Sequence, residues 1–169
     1  MVRLHDHAVT LERLSAAHSD ALLAFERENR AYFAELIPDR GDAYFDEFDL
    51  RHESLLAEQE AGICQFHVLV DDAGAVVGRV NLIDLENGSA ELGYRIAEKA
   101  GGKGLASAAV RAIIGLAASE YGLTTLRART TLDNPRSQAV LTRAGFRPVG
   151  DVKLSGRPGT AYELKLEDA

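Results

Sequence analysis

The 169-residue sequence contains one cysteine, Cys64, one methionine and no tryptophan. A single cysteine excludes an internal disulfide, and no cluster of cysteine and histidine has the spacing of a zinc site. There is no apolar run of about eighteen residues and no charged-then-apolar leader before a small-residue cleavage site, so we expect neither a membrane span nor a secretory signal. These absences predict a cytoplasmic protein without a bound metal.

Basic residues are also in deficit, with 19 Lys and Arg against 26 Asp and Glu and a formal net charge of −7. Nucleic-acid-binding proteins usually present a basic face, so this charge argues against binding to a phosphate backbone. It agrees with a cationic substrate such as an amine. The apolar content of 46% is typical of a globular protein, and the length suffices for one full hydrophobic core. We therefore expect a single domain over residues 1–169.

The most informative pattern lies in residues 90–106. Its first seven residues form two alternating sets: Ala90, Leu92, Tyr94 and Ile96 on one side, and Glu91, Gly93 and Arg95 on the other. This alternation predicts a half-buried strand. From Leu105 to about Gly122 the apolar residues follow helical spacing on two adjacent stripes, which predicts a broadly buried helix. The glycine-rich turn between them leaves backbone N–H groups free at the helix N-terminus, a good site for a phosphate or pyrophosphate.

The rest of the chain predicts further strands and helices. We expect strands at 9–14, 64–70, 76–85, 126–131, 149–154 and 162–166, with a turn-rich loop at 155–159 between the last two. Two helices are expected between residues 15 and 36, and another carries Tyr44 and Leu56 on one face to about Gly62. A short helix begins at Asn134–Pro135, a cap followed by a first-turn proline. This order predicts an α/β fold with a mixed sheet.

Two windows resemble the GNAT superfamily of acyl-CoA-dependent N-acetyltransferases, and the resemblance covers nearly the whole chain, most specifically residues 90–150. The family's cofactor signature is Gln or Arg, two residues, Gly, one residue, then Gly or Ala. Residues 101–106 follow it except at Gly101, which replaces the Gln or Arg. The window Asn134–Ser137, continuing to Phe146, is similar to the branch that includes the ribosomal-protein N-terminal acetyltransferases. Residues 91–94 are similar to that branch too.

The resemblance implies a mostly antiparallel sheet of about seven strands, splayed at its centre and flanked by helices. It also implies acetyl-CoA as co-substrate and direct transfer of the acetyl group to a primary amine in a ternary complex. The pantetheine arm would lie beside strand 90–96, where a backbone N–H near Tyr94 polarises the thioester carbonyl. The implied cofactor-binding residues are Tyr94, Arg95, Ile96, Gly101, Gly102, Lys103, Gly104, Leu105, Ala106, Asn134 and Ser137.

An amine must lose its proton before it attacks, so a base is useful, and Glu91 is our candidate. The alternative is that Glu91 is a surface carboxylate paired with Arg95 or Arg129. Many family members protonate the departing thiolate with a tyrosine at the position of Leu141, which is absent here. Ser137 is the nearest substitute, with Tyr94 as a second candidate. Asn134 and Ser137 also have a purely structural interpretation, Asn134 as a helix cap and Ser137 as a solvated residue of the first turn.

The acceptor is expected to be a protein N-terminus or a small-molecule amine, bound by a monomer or a homodimer. The resemblance places residues 29–60 in the acceptor wall, where Tyr32, Phe33, Asp39, Asp42, Asp46 and Asp49 lie. Those carboxylates would steer a cationic acceptor, although solvated acidic residues are the commoner explanation. The alternative function is a non-catalytic acyl-CoA-binding or sensing module, which the departures at Gly101 and Leu141 allow.

Overall fold

The computed structural model describes residues 1–166, so the last three residues of the expected domain lie outside the described part. Eight strands form one sheet: β1 (Val2–Leu4), β2 (Val9–Arg13), β3 (Gln65–Asp71), β4 (Val76–Glu86), β5 (Ser89–Ile96), β6 (Thr125–Thr131), β7 (Arg147–Leu154) and β8 (Arg157–Lys165). The helices are α1 (Ser19–Glu28), α2 (Arg30–Ala34), α3 (Asp42–Asp46), α4 (Phe48–Glu60), α5 (Leu105–Ser119) and α6 (Pro135–Arg143).

The strand order is β1-β2-β3-β4-β5-β6-β8-β7. Every described neighbouring pair is antiparallel except β5 and β6, which run parallel because α5 carries the chain back across the sheet. The expected α/β fold with a mostly antiparallel sheet is confirmed. The expected number of about seven strands omits β1, a three-residue edge strand that pairs with β2 and is too short to show alternation.

The sheet separates two hydrophobic clusters. On one face, α5 and α6 cover the sheet, and Ala109, Val110 and Ile113 of α5 are fully buried against it. On the other face, α1 to α4 enclose an aromatic cluster around Phe25, which is also fully buried. Strand β5 contributes Leu92 to the first cluster, while Arg95 extends towards the helices of the second. The two faces of one central strand therefore border two different environments.

Two local predictions are wrong. The helix expected through Tyr44 and Leu56 is broken at Glu47, where φ is −109° and ψ is 24°, giving α3 and α4. The break lets Phe45 and Phe48 both turn inwards, and each makes an edge-on contact with Tyr44. The other wrong prediction is the loop at 155–159, since Arg157 already belongs to β8.

The β7–β8 turn is shorter than expected because two residues suffice to reverse the chain. Ser155 and Gly156 have φ values of 51° and 81°, the left-handed backbone of a tight hairpin. Gly159 then lies flat against β6, where an added Cβ would stand 2.6 Å from the carbonyl oxygen of Thr130. The glycine that looked like a loop residue is therefore needed for close approach of two paired strands.

Strands β5 and β6 separate after a short contact. Residues 89–91 pair with residues 125–127, and no further pairs join the two strands in the described part of the chain. Beyond Arg127, β6 continues to pair with β8, and beyond Glu91, β5 continues to pair with β4. The splayed centre implied by the family resemblance is thus present, and a gap opens between the strands.

Within residues 1–166, no helix combines the length and apolar character needed to cross a membrane. The same residues contain no group of three or more His, Cys, Asp or Glu side chains placed to hold a metal ion.

Candidate functional site

A cleft of about 920 Å³ opens at the gap between β5 and β6 and extends along the N-terminus of α5. One wall comes from β5 and the glycine turn, a second from the start of α6, and a third from the end of α2 with the loop that follows. Its lining includes Tyr32, Phe33, Leu36, Ile37, Tyr94, Arg95, Ile96, Gly101, Gly102, Gly104, Leu105, Ala106, Asn134, Arg136, Ser137 and Arg143. Elements from both faces of the sheet thus meet at one cavity.

The backbone of β5 supplies unpaired hydrogen-bond donors to this gap. The Ala97 amide donates to the Val77 carbonyl of β4 at 2.9 Å. Because amide direction alternates along a strand, the amides of Gly93 and Arg95 also face β4, and those of Tyr94 and Ile96 face the opposite side. There β6 has diverged, so the Tyr94 amide points into the cleft.

The glycine turn ends at a helix N-terminus whose amides are free. The first backbone hydrogen bond of α5 runs from the Ala108 amide to the Gly104 carbonyl at 3.1 Å. Within the described chain, the amides of residues 102–107 donate to no protein atom. Gly102 and Gly104 have φ values of 74° and 81°, which orient this run of amides without a Cβ in the way. The arrangement suits a phosphate or pyrophosphate group, and Arg136 and Arg143 on α6 add positive charge to the cleft.

Tyr94 and Ser137 face one another across the cleft. The Tyr94 hydroxyl lies 2.9 Å from Ser137 Oγ, and either oxygen can act as the donor. Ser137 is fixed by the start of α6, where its amide donates to Asn134 Oδ1 at 3.3 Å. Burial raises the pKa of the Tyr94 hydroxyl, an effect that the Ser137 hydrogen bond opposes. Both hydroxyls therefore retain a proton to donate at neutral pH.

Glu91 lies on the opposite face of β5 from Tyr94. Its carboxylate forms an ion pair with Arg129 of β6, with Nε 2.8 Å from one oxygen, and it accepts a hydrogen bond from Nη2 at 3.0 Å. This is one of the two pairings that the sequence left open for the surface interpretation. Beside Glu91, an added Cβ on Gly93 would meet no atom within 4 Å, so open space adjoins the carboxylate. The role of Glu91 as a base stays a prediction.

Arg95 belongs to a buried cluster of charges behind the cleft. Glu26 of α1, 1% exposed, accepts from Arg40, Arg79 and Arg95 at 2.9 to 3.3 Å. Burial alone raises the pKa of Glu26, but the charges of Arg79, Arg40 and Arg95 outweigh it and leave the pKa below its ordinary value. Burial, and then the charge of Arg40, lowers the pKa of Arg95 to about 10, so it stays cationic at neutral pH.

The cleft brings together the predicted cofactor residues except Lys103, which is exposed and outside the lining. The predicted base, Glu91, also lies outside the lining. The Glu26 cluster was not predicted from the sequence, because its members lie far apart along the chain. Arg79 is 53 residues from Glu26, and Arg95 is 69 residues from it. A local signal did exist, because Arg79 interrupts the apolar run from Val76 to Val80 and is 4% exposed. A lone charge inside such a run predicts a buried ion pair.

Known proteins share this sequence pattern and fold. The acetyltransferase (GNAT) domain family matches residues 8–147. The uncharacterized N-acetyltransferase p20 of Bacillus licheniformis is 33% identical over 108 residues, which are 60% of this chain and 61% of that protein. The match therefore covers less than two thirds of that relative.

Two solved structures are similar throughout. The ribosomal-protein-S5-alanine acetyltransferase from Vibrio fischeri has a TM-score of 0.89 and 20% identity, over 95% of this chain and 94% of that one. The spermidine N-acetyltransferase from Vibrio cholerae, in complex with CoA and spermine, has a TM-score of 0.77 and 19% identity, over 95% and 96% of the two chains. At these identities the two structures show the fold. The family match covers most of the chain, which therefore belongs to the GNAT acetyltransferases.

Proposed function

We propose that the whole protein transfers the acetyl group of acetyl-CoA directly to a primary amine while both substrates are bound. The observation that supports this most is that two sets of free backbone donors border one cleft. They are the Tyr94 amide in the β5–β6 gap and the amides of residues 102–107 at the start of α5. A thioester carbonyl and a pyrophosphate are two groups that such donors suit, and CoA thioesters carry both.

The residues present fit acetyl-CoA, which supplies an activated acyl thioester when bound. Amides of Gly102, Gly104, Leu105 and Ala106 would hold the pyrophosphate, and the backbone of residues 94–96 would pair with the pantetheine arm. Loss of the signature Gln or Arg at Gly101 removes a side-chain contact but leaves these backbone donors intact. Asn134 contributes by capping α6, because this cap sets the position of Ser137.

Two predicted catalytic roles suit the geometry on the two faces of β5. Glu91 is paired with Arg129 and borders the open space at Gly93, so it would accept a proton from an amine directly or through water. On the opposite face, Ser137 and Tyr94 share a hydrogen bond beside the cleft. Either hydroxyl would donate a proton to the departing thiolate. It would thereby take the role of the tyrosine that is absent at the position of Leu141.

For the acceptor we propose a protein N-terminus or a small-molecule amine. Support comes from the two relatives in structure, one named as a ribosomal-protein alanine acetyltransferase and the other as a spermidine acetyltransferase. We further propose one catalytic domain over residues 1–169, acting as a monomer or homodimer. A cytoplasmic location is supported by the lone cysteine, which is buried.

The test is release of free thiol from acetyl-CoA with a panel of peptide N-termini, amino acids and polyamines. Glu91→Gln and Ser137→Ala should each lower acceptor-dependent release at least about tenfold. Ser119→Ala, at the exposed far end of α5, is the matched control and should leave the rate unchanged. Full turnover in both site variants would remove Glu91 and Ser137 from their roles. Acetyl-CoA binding without turnover on any acceptor would overturn the proposed transferase and favour a sensing module.

A further inference from the structure

Two of the four aspartates expected to steer a cationic acceptor are already paired with one arginine. Asp39 accepts two hydrogen bonds from Arg30, at 2.9 Å from Nε and 2.8 Å from Nη2, and Asp42 accepts a third at 2.9 Å. Asp46 and Asp49 are exposed on the outer side of α3 and α4 and do not line the cleft. None of these four aspartates therefore lines the cleft as a free carboxylate, and the carboxylates that do line it are those of Glu35 and Asp133.

The buried charges next to the cleft have the opposite sign. Three guanidinium groups, of Arg40, Arg79 and Arg95, surround the single carboxylate of Glu26. One carboxylate balances one of these cations, which leaves two positive charges in a largely buried cluster. Unbalanced charge is costly in a low-dielectric environment, so an anion that binds here gains more than it would at the protein surface.

Arg95 connects this cluster with the cleft. Its guanidinium stacks over the Phe33 ring at 4.5 Å, and both residues line the cleft. Nη1 donates to Glu26 at 3.1 Å, and this is the one hydrogen bond that the guanidinium makes within residues 1–166. The remaining N–H groups are available to a ligand, and a planar guanidinium suits a carboxylate in particular.

The space for the amine adjoins Arg95 on the same face of β5. Gly93 and Arg95 are two residues apart, which on a strand is about 6.6 Å. Asn81 of β4 lies directly opposite Gly93, and its Oδ1 is buried without a hydrogen-bond partner in the described structure. A polar atom left unsatisfied in this way is an acceptor for an amine N–H. A site for an amine and a site for an anion therefore lie side by side.

We propose that the acceptor is an amine that also carries a carboxylate, which Arg95 and Arg40 bind while the amine lies over Gly93 beside Asn81. This inference rests on the proposed acetyl transfer and narrows its acceptor class. The carboxylate has two sources, a free amino acid or an acidic residue near a peptide N-terminus. Both place an anion within a few bonds of the amine, whereas a polyamine brings only further positive charge.

The experiment compares matched acceptors that differ only in charge. Glutamate is paired with glutamine amide, a peptide beginning Ala-Glu with one beginning Ala-Gln, and spermidine is the cationic member. Thiol release is measured with the wild type, Arg95→Met and Arg40→Met, which keep an apolar stem and lose the cation. Arg27→Met is the control, because Arg27 is exposed on the same helix as Glu26 and lines neither the cleft nor the cluster.

The wild type should have a kcat/KM at least about tenfold higher for one carboxylate acceptor than for its neutral partner. Arg95→Met and Arg40→Met should each reduce that ratio severalfold, mainly by raising KM, and Arg27→Met should preserve it. A higher kcat/KM for spermidine or for the neutral acceptors overturns the inference and leaves the transferase intact. The inference is also overturned if the preference for carboxylate acceptors is unchanged in both Arg95→Met and Arg40→Met.

Calorimetry separates failure of the inference from failure of the proposed function. Glutamate and the Ala-Glu peptide are titrated into the wild type saturated with CoA, and into Arg95→Met. If no acceptor is acetylated, the transferase proposal fails, and carboxylate-dependent binding that Arg95→Met weakens still supports the anion site. Absence of binding by both carboxylates, or equal binding of their neutral partners, overturns the anion site. Tighter binding of glutamate indicates a free amino acid as the source of the carboxylate, and tighter binding of the Ala-Glu peptide indicates an acidic residue near a peptide N-terminus.

Discussion

At the scale of single residues, two groups of Tyr94 would act in the proposed reaction, its backbone amide and its side-chain hydroxyl. Its amide faces the gap between β5 and β6, and its hydroxyl lies 2.9 Å from Ser137 Oγ. A substitution of the side chain alters the second contact and leaves the first in place, because the amide belongs to the backbone. The two contributions of one residue are thus separable by experiment.

Tyr94→Phe and Ser137→Ala should each lower kcat, and the double variant should be little worse than the poorer single one. The reason is that both changes remove the same hydrogen bond, so their effects are not additive. Since burial raises the pKa of Tyr94 above 10, any fall of kcat caused by its ionisation should lie above that pH and vanish in Tyr94→Phe. Steady-state rates against pH check both statements. Strictly additive losses would contradict a shared role.

Glu26→Gln should destabilise the protein by about 3–5 kcal/mol at pH 7, since it leaves three arginines without their carboxylate. Glu28→Gln, an exposed neighbour on α1, should change stability by less than about 0.5 kcal/mol. Urea unfolding measures both. Equal stability of the two variants would show that the cluster contributes nothing.

The Glu26 carboxylate also predicts how the free energy of unfolding changes with pH. The arginine charges hold the pKa of folded Glu26 below its ordinary value of 4.5. The stabilisation is therefore fully present above pH 4.5 and is lost as the pH falls through the lower folded pKa. Glu26→Gln should flatten this part of the curve of unfolding free energy against pH.

At the scale of elements, the N-terminus of α5 is the part most directly tied to acetyl-CoA. Gly104→Ala should raise the KM for acetyl-CoA, because φ is +81° there and a Cβ strains the turn that orients the free amides. Gly115→Ala, at an exposed position in the same helix, should leave the KM unchanged and stabilise the protein by about 0.5–1 kcal/mol. An unaltered KM in Gly104→Ala would separate this turn from cofactor binding.

The contact between β6 and β8 provides a second matched pair of glycines. Gly159→Ala should cost about 1–3 kcal/mol, because its Cβ would stand 2.6 Å from the Thr130 carbonyl oxygen and force the strands apart. Gly150→Ala on β7, where no atom lies within 4 Å, should change stability by less than about 0.5 kcal/mol. Chemical denaturation of the two variants compares them, and similar losses would argue against a close strand contact.

What the sequence predicted at this scale depended on local pattern. Alternation in β5, helical spacing in α5 and the Asn134 cap of α6 are all properties of neighbouring residues, and each is present in the structure. The start of β8 was missed because Pro158 and Gly159 are typical of turns, and only the packing against Thr130 explains the glycine in a strand. Such packing is invisible in a single sequence.

The candidate site likewise has one part that the sequence predicts and one part that depends on the folded chain. The free amides near residues 101–106 follow from a glycine turn before a helix, so the sequence sufficed. The Glu26 cluster depends on α1, β4 and β5 being brought together, and the loop that carries Arg40 completes it. No spacing along the chain predicts which arginines meet Glu26, and two of the aspartates expected to steer an acceptor, Asp39 and Asp42, pair with Arg30 instead.

At the scale of the whole molecule, binding of CoA should stabilise the folded protein. It should also protect the amides of β5 from hydrogen exchange to unequal extents. At a CoA concentration about a hundredfold above Kd, the gain is roughly 2.7 kcal/mol. Residue-resolved hydrogen exchange should show large added protection at the Tyr94 and Ile96 amides, which face the gap. The amides of Gly93 and Arg95 face β4 and should gain much less. Equal added protection at all four would contradict pairing of the pantetheine arm with β5.

The order of strands along the chain has a consequence for how the protein could be divided. Every antiparallel partner of β1 to β5 lies before residue 97, and every antiparallel partner of β6 to β8 lies after residue 124. A cut in the exposed turn at Gly122 therefore separates two fragments that each retain their own ladders, and among the described strand pairings it severs the short parallel junction of β5 and β6. Two such fragments form a natural pair for complementation, in which reassembly restores the cleft and the donor substrate bridges the halves.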